Sequence, residues 1–218
     1  MEVGTILPSI LVKVWNQKSP ALFTIGSIVC GESKKLQKFM VLYGAAGTGK
    51  STVLNIIQQL FEGYYSVFDA KALGSSSNSF ALEAFKTNPL VAIQHDGDLS
   101  RIEDNTRLNS LVSHELMTVN EKFKSTYANR FKCFLFMGTN KPVKITDAKS
   151  GLIRRLIDVS PSGNKLSPKE YKAVTKQIEF ELGAIVMPDF SKNRLIGGQP
   201  RFKKQDNLWI DVDFFTLA

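Results

Sequence analysis

Gly44, Gly49, Lys50 and Ser51 stand in the spacing G-x-x-x-x-G-K-[ST] within LYGAAGTGKST, residues 42–52. Glycines at such positions let the backbone turn sharply and aim its N–H groups inward. A lysine adds an ammonium and a serine a hydroxyl suited to Mg²⁺, so the chemistry indicated is the holding of a nucleoside triphosphate. The expected binding segment is Gly44, Ala45, Ala46, Gly47, Thr48, Gly49, Lys50, Ser51 and Thr52, with Ser51 on the metal side.

A phosphate site that hydrolyses also needs carboxylate and polar partners. VAIQHDGD places Asp96 at the end of an apolar run, where it is expected to hold Mg²⁺, usually through water. Asp98 is either the acid that polarises the attacking water or a turn residue of D-G-D; position 97, where a second acid often follows, is glycine. His95 reads as a packing or hydrogen-bonding residue rather than a base. Asn140, just past the apolar FLFMGT, is expected to orient the attacking water, although Asn-Lys-Pro is also a good turn. Arg154 and Arg155 invite comparison with an arginine supplied to a neighbour's terminal phosphate, an effect worth roughly 10³ to 10⁵ in rate. Their alternative role is to satisfy local carboxylates such as Asp147 or Asp158.

Five short strands must position these groups. KFMVLYG (38–44), YYSVFDA (64–70), PLVAIQHD (89–96), KCFLFMGTN (132–140) and RLIDVSP (155–161) are apolar runs bounded by turn residues. Their continuous apolar character predicts a parallel sheet buried on both faces. STVLNIIQQLF after the glycine loop has helical periodicity, and residues 104–114 read as a helix. ELMTVNEKFKSTYANRFK (115–132) predicts a hairpin with its tip near Lys122 to Ser125. Ser167, Pro168 and Glu170 form a capping box that opens a helix. The expected organisation is a helical lead-in over 1–37, with Ile6, Ile10, Leu11 and Val14 on one face, and a core over 38–162. A helix follows over 163–190, then a basic arm or linker with a terminal strand over 191–218.

The chain has 218 residues, 22% charged and 43% hydrophobic, which suits one α/β domain with a sizeable core. A net charge of +8 and a pI near 9.4 favour polyanionic partners, nucleic acid first. Two cysteines without partner spacing and two histidines argue against a disulfide scaffold and a zinc site. The first residues carry Glu2, Pro8 and Lys13 and do not read as a secretory signal, nor does any stretch reach membrane-span length. A cytoplasmic location and no membrane partner are expected.

Taken in order, these segments resemble the superfamily 3 helicases, in particular the primase-helicase branch of phages, plasmids and large DNA viruses. LYGAAGTGKST looks like the A motif, LVAIQHDGD the B motif, TVNEKFKSTY the B-prime segment, FLFMGTNKP the C motif and GLIRRLIDV the arginine-finger region. The resemblance implies an α/β, AAA+ type P-loop NTPase core with a central five-stranded parallel sheet and a β-hairpin insertion. It further implies ATP and Mg²⁺ as ligands, a homohexameric ring, and 3′ to 5′ translocation on single-stranded DNA or a forked duplex, with primase or other replication proteins as partners. Carried over by position, Lys50 and Ser51 serve the nucleotide, Asp96 the metal, Asn140 the water and Arg155 the neighbour's site. Lys122 and Lys124 line the channel, and Phe123 between them would stack on a base or sugar, or lie at a subunit contact. An AAA+ switch or loader that binds DNA without unwinding is the alternative. A small-molecule kinase would need an arginine-rich lid that the sequence does not display.

Overall fold

A computed structural model of the chain describes residues 19–75, 77–99, 104–141, 151–160, 166–186, 202–205 and 208–211. The expected helix face at Ile6 to Val14, Asp147, and the arm residues 191–201 lie outside them. In chain order the elements are α1 (Ser19–Val29), α2 (Ser33–Leu36), β1 (Phe39–Tyr43), α3 (Lys50–Leu60), β2 (Tyr65–Val67), α4 (Ala70–Leu73) and β3 (Val91–Gln94). There follow α5 (Thr106–Val112), β4 (Leu116–Val119), β5 (Tyr127–Arg130), β6 (Phe134–Thr139), β7 (Leu156–Val159) and α6 (Pro168–Val186). The remaining pair is β8 (Phe202–Gln205) and β9 (Leu208–Asp211). The chain divides into a unit over residues 1–186 and a second over 187–218. The second contains the antiparallel β8–β9 pair, with Phe202 opposite Asp211.

The first unit is an α/β structure on a five-stranded parallel sheet in the order β2-β3-β6-β1-β7. Strand β6 therefore separates the strand that enters the glycine loop from the strand that ends near Asp96. Alternation along each strand sorts side chains between two faces. Met40, Leu42, Val91, Ile93, Phe134 and Phe136 meet Ile25 and Ile28 of α1, Val53, Leu54, Ile56 and Ile57 of α3, and Ile178 of α6. Phe39, Val41, Ala92, Leu135 and Met137 meet a second cluster that includes Phe85, Leu108, Leu111, Met117, Val119 and Phe131. All six residues of β6 are buried, which explains why its sequence is uniformly apolar or small. Through Ile25 and Ile28 the lead-in thus shares one core with the sheet, and so does the middle of α6 through Ile178.

Local chemistry fixes the element ends. Helix α3 starts from Gly49 in the left-handed region, at φ 83°. Helix α6 starts from the expected capping box: the Ser167 N–H donates to Glu170 Oε2 at 2.9 Å, and the Glu170 N–H to Ser167 Oγ at 3.3 Å. Strands β4 and β5 form an antiparallel hairpin outside the main sheet, with Leu116 opposite Arg130 and Val119 opposite Tyr127. Met117 and Val119 point into the second core cluster while Leu116 and Thr118 face solvent.

Candidate nucleotide site and hairpin

The carboxyl ends of β1, β3 and β6 gather most of the residues singled out above. Tyr43 is in register with Thr139, and the Gly44 N–H continues that ladder to the Thr139 carbonyl at 3.1 Å. Beyond it the loop turns through Gly47 at φ 77° and Gly49 at φ 83°, conformations in which a side chain is strained. Ala45, Ala46, Gly47 and Ser51 are exposed, whereas Thr48 and Lys50 are buried. Thr48 Oγ1 donates to the Ala45 carbonyl at 2.8 Å. Lys50 Nζ folds back into the loop and donates to the carbonyls of Gly44 at 2.7 Å and Ala45 at 2.9 Å. Burial holds this ammonium below the usual lysine range, and the Asp96 carboxylate opposes that shift, so the two charges act on one another. Thr52 shares a hydrogen bond with Tyr171 Oη of α6 at 2.9 Å.

Asp96 is exposed two residues past β3. The following Gly97 donates its N–H to the Gly138 carbonyl at 2.8 Å, drawing this turn against β6. A Cβ on Gly97 would overlap Met137 Sδ and lie 2.7 Å from Met137 Cγ, so a side chain at position 97 would have to displace Met137. Gly138 is as tightly placed, since a Cβ there would come within 2.6 Å of the His95 carbonyl oxygen. A second acid directly after Asp96 would therefore require Met137 to move aside. His95 Nε2 lies 3.4 Å from Gln58 Oε1. Asp98 forms an ion pair with Lys141 at 2.6 Å. Asn140 is exposed directly after β6, in a turn where Thr139 Oγ1 accepts from the Lys141 N–H at 3.1 Å. Lys141 escaped the sequence reading because its partner lies forty-three positions away.

The arginines occupy the opposite edge. Phe39, the first residue of β1, is in register with Leu156, so Arg154 and Arg155 lie about 20 Å or more from the glycine loop at the usual strand rise. Arg154 is exposed. Arg155 is buried: Nη2 and Nε donate to Ser113 Oγ at 2.8 and 3.2 Å, and Nη1 to the Gly151 carbonyl at 3.3 Å. Among the described residues its hydrogen-bond partners are thus a hydroxyl and a carbonyl rather than Asp158. Burial, and next the charge of Arg154, hold this guanidinium below its usual range.

At the hairpin tip the Lys124 N–H donates to the Glu121 carbonyl at 3.3 Å, closing a turn whose third residue, Phe123, has φ 63°. That position ordinarily favours glycine. Here it carries a fully exposed phenyl ring, 104% by relative area. The buried Glu121 carboxylate accepts from Tyr127 Oη at 2.6 Å and pairs with Lys124 Nζ at 2.6 Å. Lys124 first and Tyr127 second hold its carboxyl below the usual range. Lys122 Nζ lies 6.0 Å from the centre of the Phe80 ring. Neither Glu121 nor Ser113 carried a sequence signal.

Among the described residues no helix is long and apolar enough to cross a membrane, and no group of three His, Cys, Asp or Glu side chains could hold a metal. No curated protein matches the chain. Solved structures share the fold. An A-form apo structure of the NrS-1 C terminal region superposes with a TM-score of 0.61 at 17% identity, covering 88% of this chain and 50% of that one. Another apo structure of the same region gives 0.60 at 18% identity, covering 85% of this chain and 45% of that one. The chain therefore spans about half the length of the solved chains it matches. Residues 42–155, just over half of the 218, match the model of DUF5906, a family of unknown function, and the chain belongs to that family.

Proposed function

We propose that the chain is an ATP-hydrolysing motor subunit of the superfamily 3 helicase type, with an AAA+ core. It assembles as a hexameric ring and moves 3′ to 5′ along single-stranded DNA during replication of a phage, plasmid or viral genome. The observation that carries the reading is the glycine loop. Positive-φ glycines and exposed residues surround a lysine whose ammonium is held on loop carbonyls and acts on Asp96 across the strand edge. The donor set suits Mg²⁺, which takes few protein ligands and completes its shell with phosphate and water oxygens. Ser51 and Asp96 would hold it, and when bound the ion neutralises charge across the phosphates.

Lys50 then exchanges the Gly44 and Ala45 carbonyls for phosphate oxygens. Asn140, at the end of the strand beside the loop strand, orients water, and an arginine reaches the site from the adjacent subunit, because this chain's own pair lies at the far edge. Strand β6 follows the hairpin through residues 131–133, so its two ends serve the phosphate site and the DNA-facing tip. Contacts from such a tip go to phosphates and carry no sequence preference, which suits translocation.

A second reading, an ATP-bound switch or loader that hydrolyses slowly, is favoured by one feature. Met137 occupies the place of a second acid, and Asp98 is engaged with Lys141. ATP hydrolysis with and without single-stranded DNA, beside forked-duplex unwinding and a mass determination with nucleotide, separates the two. The motor reading expects DNA-stimulated hydrolysis, unwinding and a hexamer, all lost in Lys50→Ala. Hydrolysis without unwinding establishes the switch, and unwinding by Lys50→Ala would overturn both.

A further inference from the structure

Arg154 and Arg155 are adjacent in sequence but face different surroundings. Their short 3₁₀ turn, Ile153–Arg155, closes through the Arg155 N–H on the Leu152 carbonyl at 3.0 Å. It begins from Gly151 at φ 72°, where a Cβ would sit 3.0 Å from Arg155 Nη1. The positive φ favours glycine there, and a side chain would also press on the Arg155 guanidinium. One side of the turn is fastened to the sheet, since Lys38 Nζ donates to the Arg154 carbonyl and Phe39 starts β1 one residue later. The other side is fastened by the Arg155 guanidinium, two of whose N–H groups converge on Ser113 Oγ. Ser113 is the C-cap of α5 and stands three residues before Leu116, the first residue of the hairpin.

A guanidinium has five donors in a rigid plane, and here three of its nitrogens are engaged inside the molecule. Such a group is poorly placed to meet a phosphate on another subunit, while its exposed neighbour is well placed. We infer that the pair divides the work: Arg154 is the arginine offered to the adjacent subunit's nucleotide, and Arg155 is a positioning residue that ties the arginine turn to the hairpin base through Ser113. The inference rests on the ring-ATPase reading above and deepens it, because it gives a route from one subunit's nucleotide to the next subunit's DNA contact. When Arg154 engages or leaves a neighbouring phosphate, the turn shifts. Ser113 shifts with it, and the hairpin strand that starts at Leu116 follows.

The test uses the full chain assembled with ATP and single-stranded DNA. Arg154→Ala is expected to bind nucleotide normally and to lose hydrolysis by roughly 10³-fold or more, the range for a transition-state arginine. Mixing Arg154→Ala with Lys50→Ala subunits is expected to restore hydrolysis, since each supplies the half-site the other lacks. Ser113→Ala keeps the fold and basal hydrolysis but loses stimulation by DNA. Arg155→Lys, which keeps the charge and gives up the paired donors, is likewise expected to lose stimulation by DNA. Stimulation intact in both Ser113→Ala and Arg155→Lys overturns the link, and wild-type hydrolysis by Arg154→Ala overturns the division of work. If the wild type hydrolyses nothing, or Lys50→Ala hydrolyses as well as wild type, the earlier reading falls and this one with it. DNA-stimulated hydrolysis lost in Lys50→Ala but unchanged by both Ser113→Ala and Arg155→Lys removes the link alone and leaves the earlier reading standing.

Discussion

Phe123 combines two unfavourable choices, an aromatic residue in the left-handed region and a large apolar side chain wholly in water. A non-glycine residue held there costs on the order of 1–3 kcal/mol, and the turn keeps its shape because Glu121 is gripped by Tyr127 and Lys124. Phe123→Gly should therefore raise the melting temperature while weakening binding to single-stranded DNA, as read by thermal unfolding and fluorescence anisotropy. Equal or tighter DNA binding would remove the ring from the interface. The two lysines also differ. Lys124 is already compensated by Glu121 and Lys122 is not ion-paired among the described residues, so Lys122→Ala should weaken DNA binding more and flatten its salt dependence by the larger amount. Such asymmetry was not legible in the sequence, where the lysines look equivalent. Glu121 is three positions from Lys124 and became informative only once the turn was known.

Elements were legible to the extent that their signals are local. The glycine loop, the capping box at Ser167, the apolar strands and the hairpin around Lys122 are written within a few residues each, and each lies where its pattern implies. Long-range pairings left no such trace: Arg155 with Ser113 and Asp98 with Lys141 join positions more than forty residues apart. The junction between β3 and β6 shows how backbone approach can carry information that a residue type only hints at. Gly138 lies against the His95 carbonyl and against Leu54 of α3. Gly138→Ala should destabilise the first unit by about 1–3 kcal/mol in denaturant unfolding, the usual cost of overpacking, and should displace Asn140 and Asp96 together. A variant as stable as wild type would show that the junction is looser than its contacts indicate.

For the whole molecule, the acid limb of stability has an identifiable source. His114 is buried at φ 52°, with Nδ1 unpartnered among the described residues. Burial holds its imidazole below the usual value of 6.5, a backbone hydrogen bond to Cys133 opposes the shift, and Lys34, Lys132 and Arg130 add to it. Below that value the unfolded chain binds a proton that the folded chain refuses, so stability is present above about pH 6.5 and is lost as the pH falls. Melting temperatures at about pH 7.5 and pH 5.5 should differ less in His114→Asn, a substitution that tolerates positive φ, than in wild type. Parallel behaviour would place the acid sensitivity elsewhere. One consequence of β6 concerns length rather than charge. Its six residues are buried throughout and each is laddered to β1, β3 or both, so about 20 Å of stiff backbone separates Asn140 from the hairpin's exit. That strand is a gauge: a hairpin lengthened or shortened at its tip would alter how far the hairpin reaches and leave the glycine-loop edge in register.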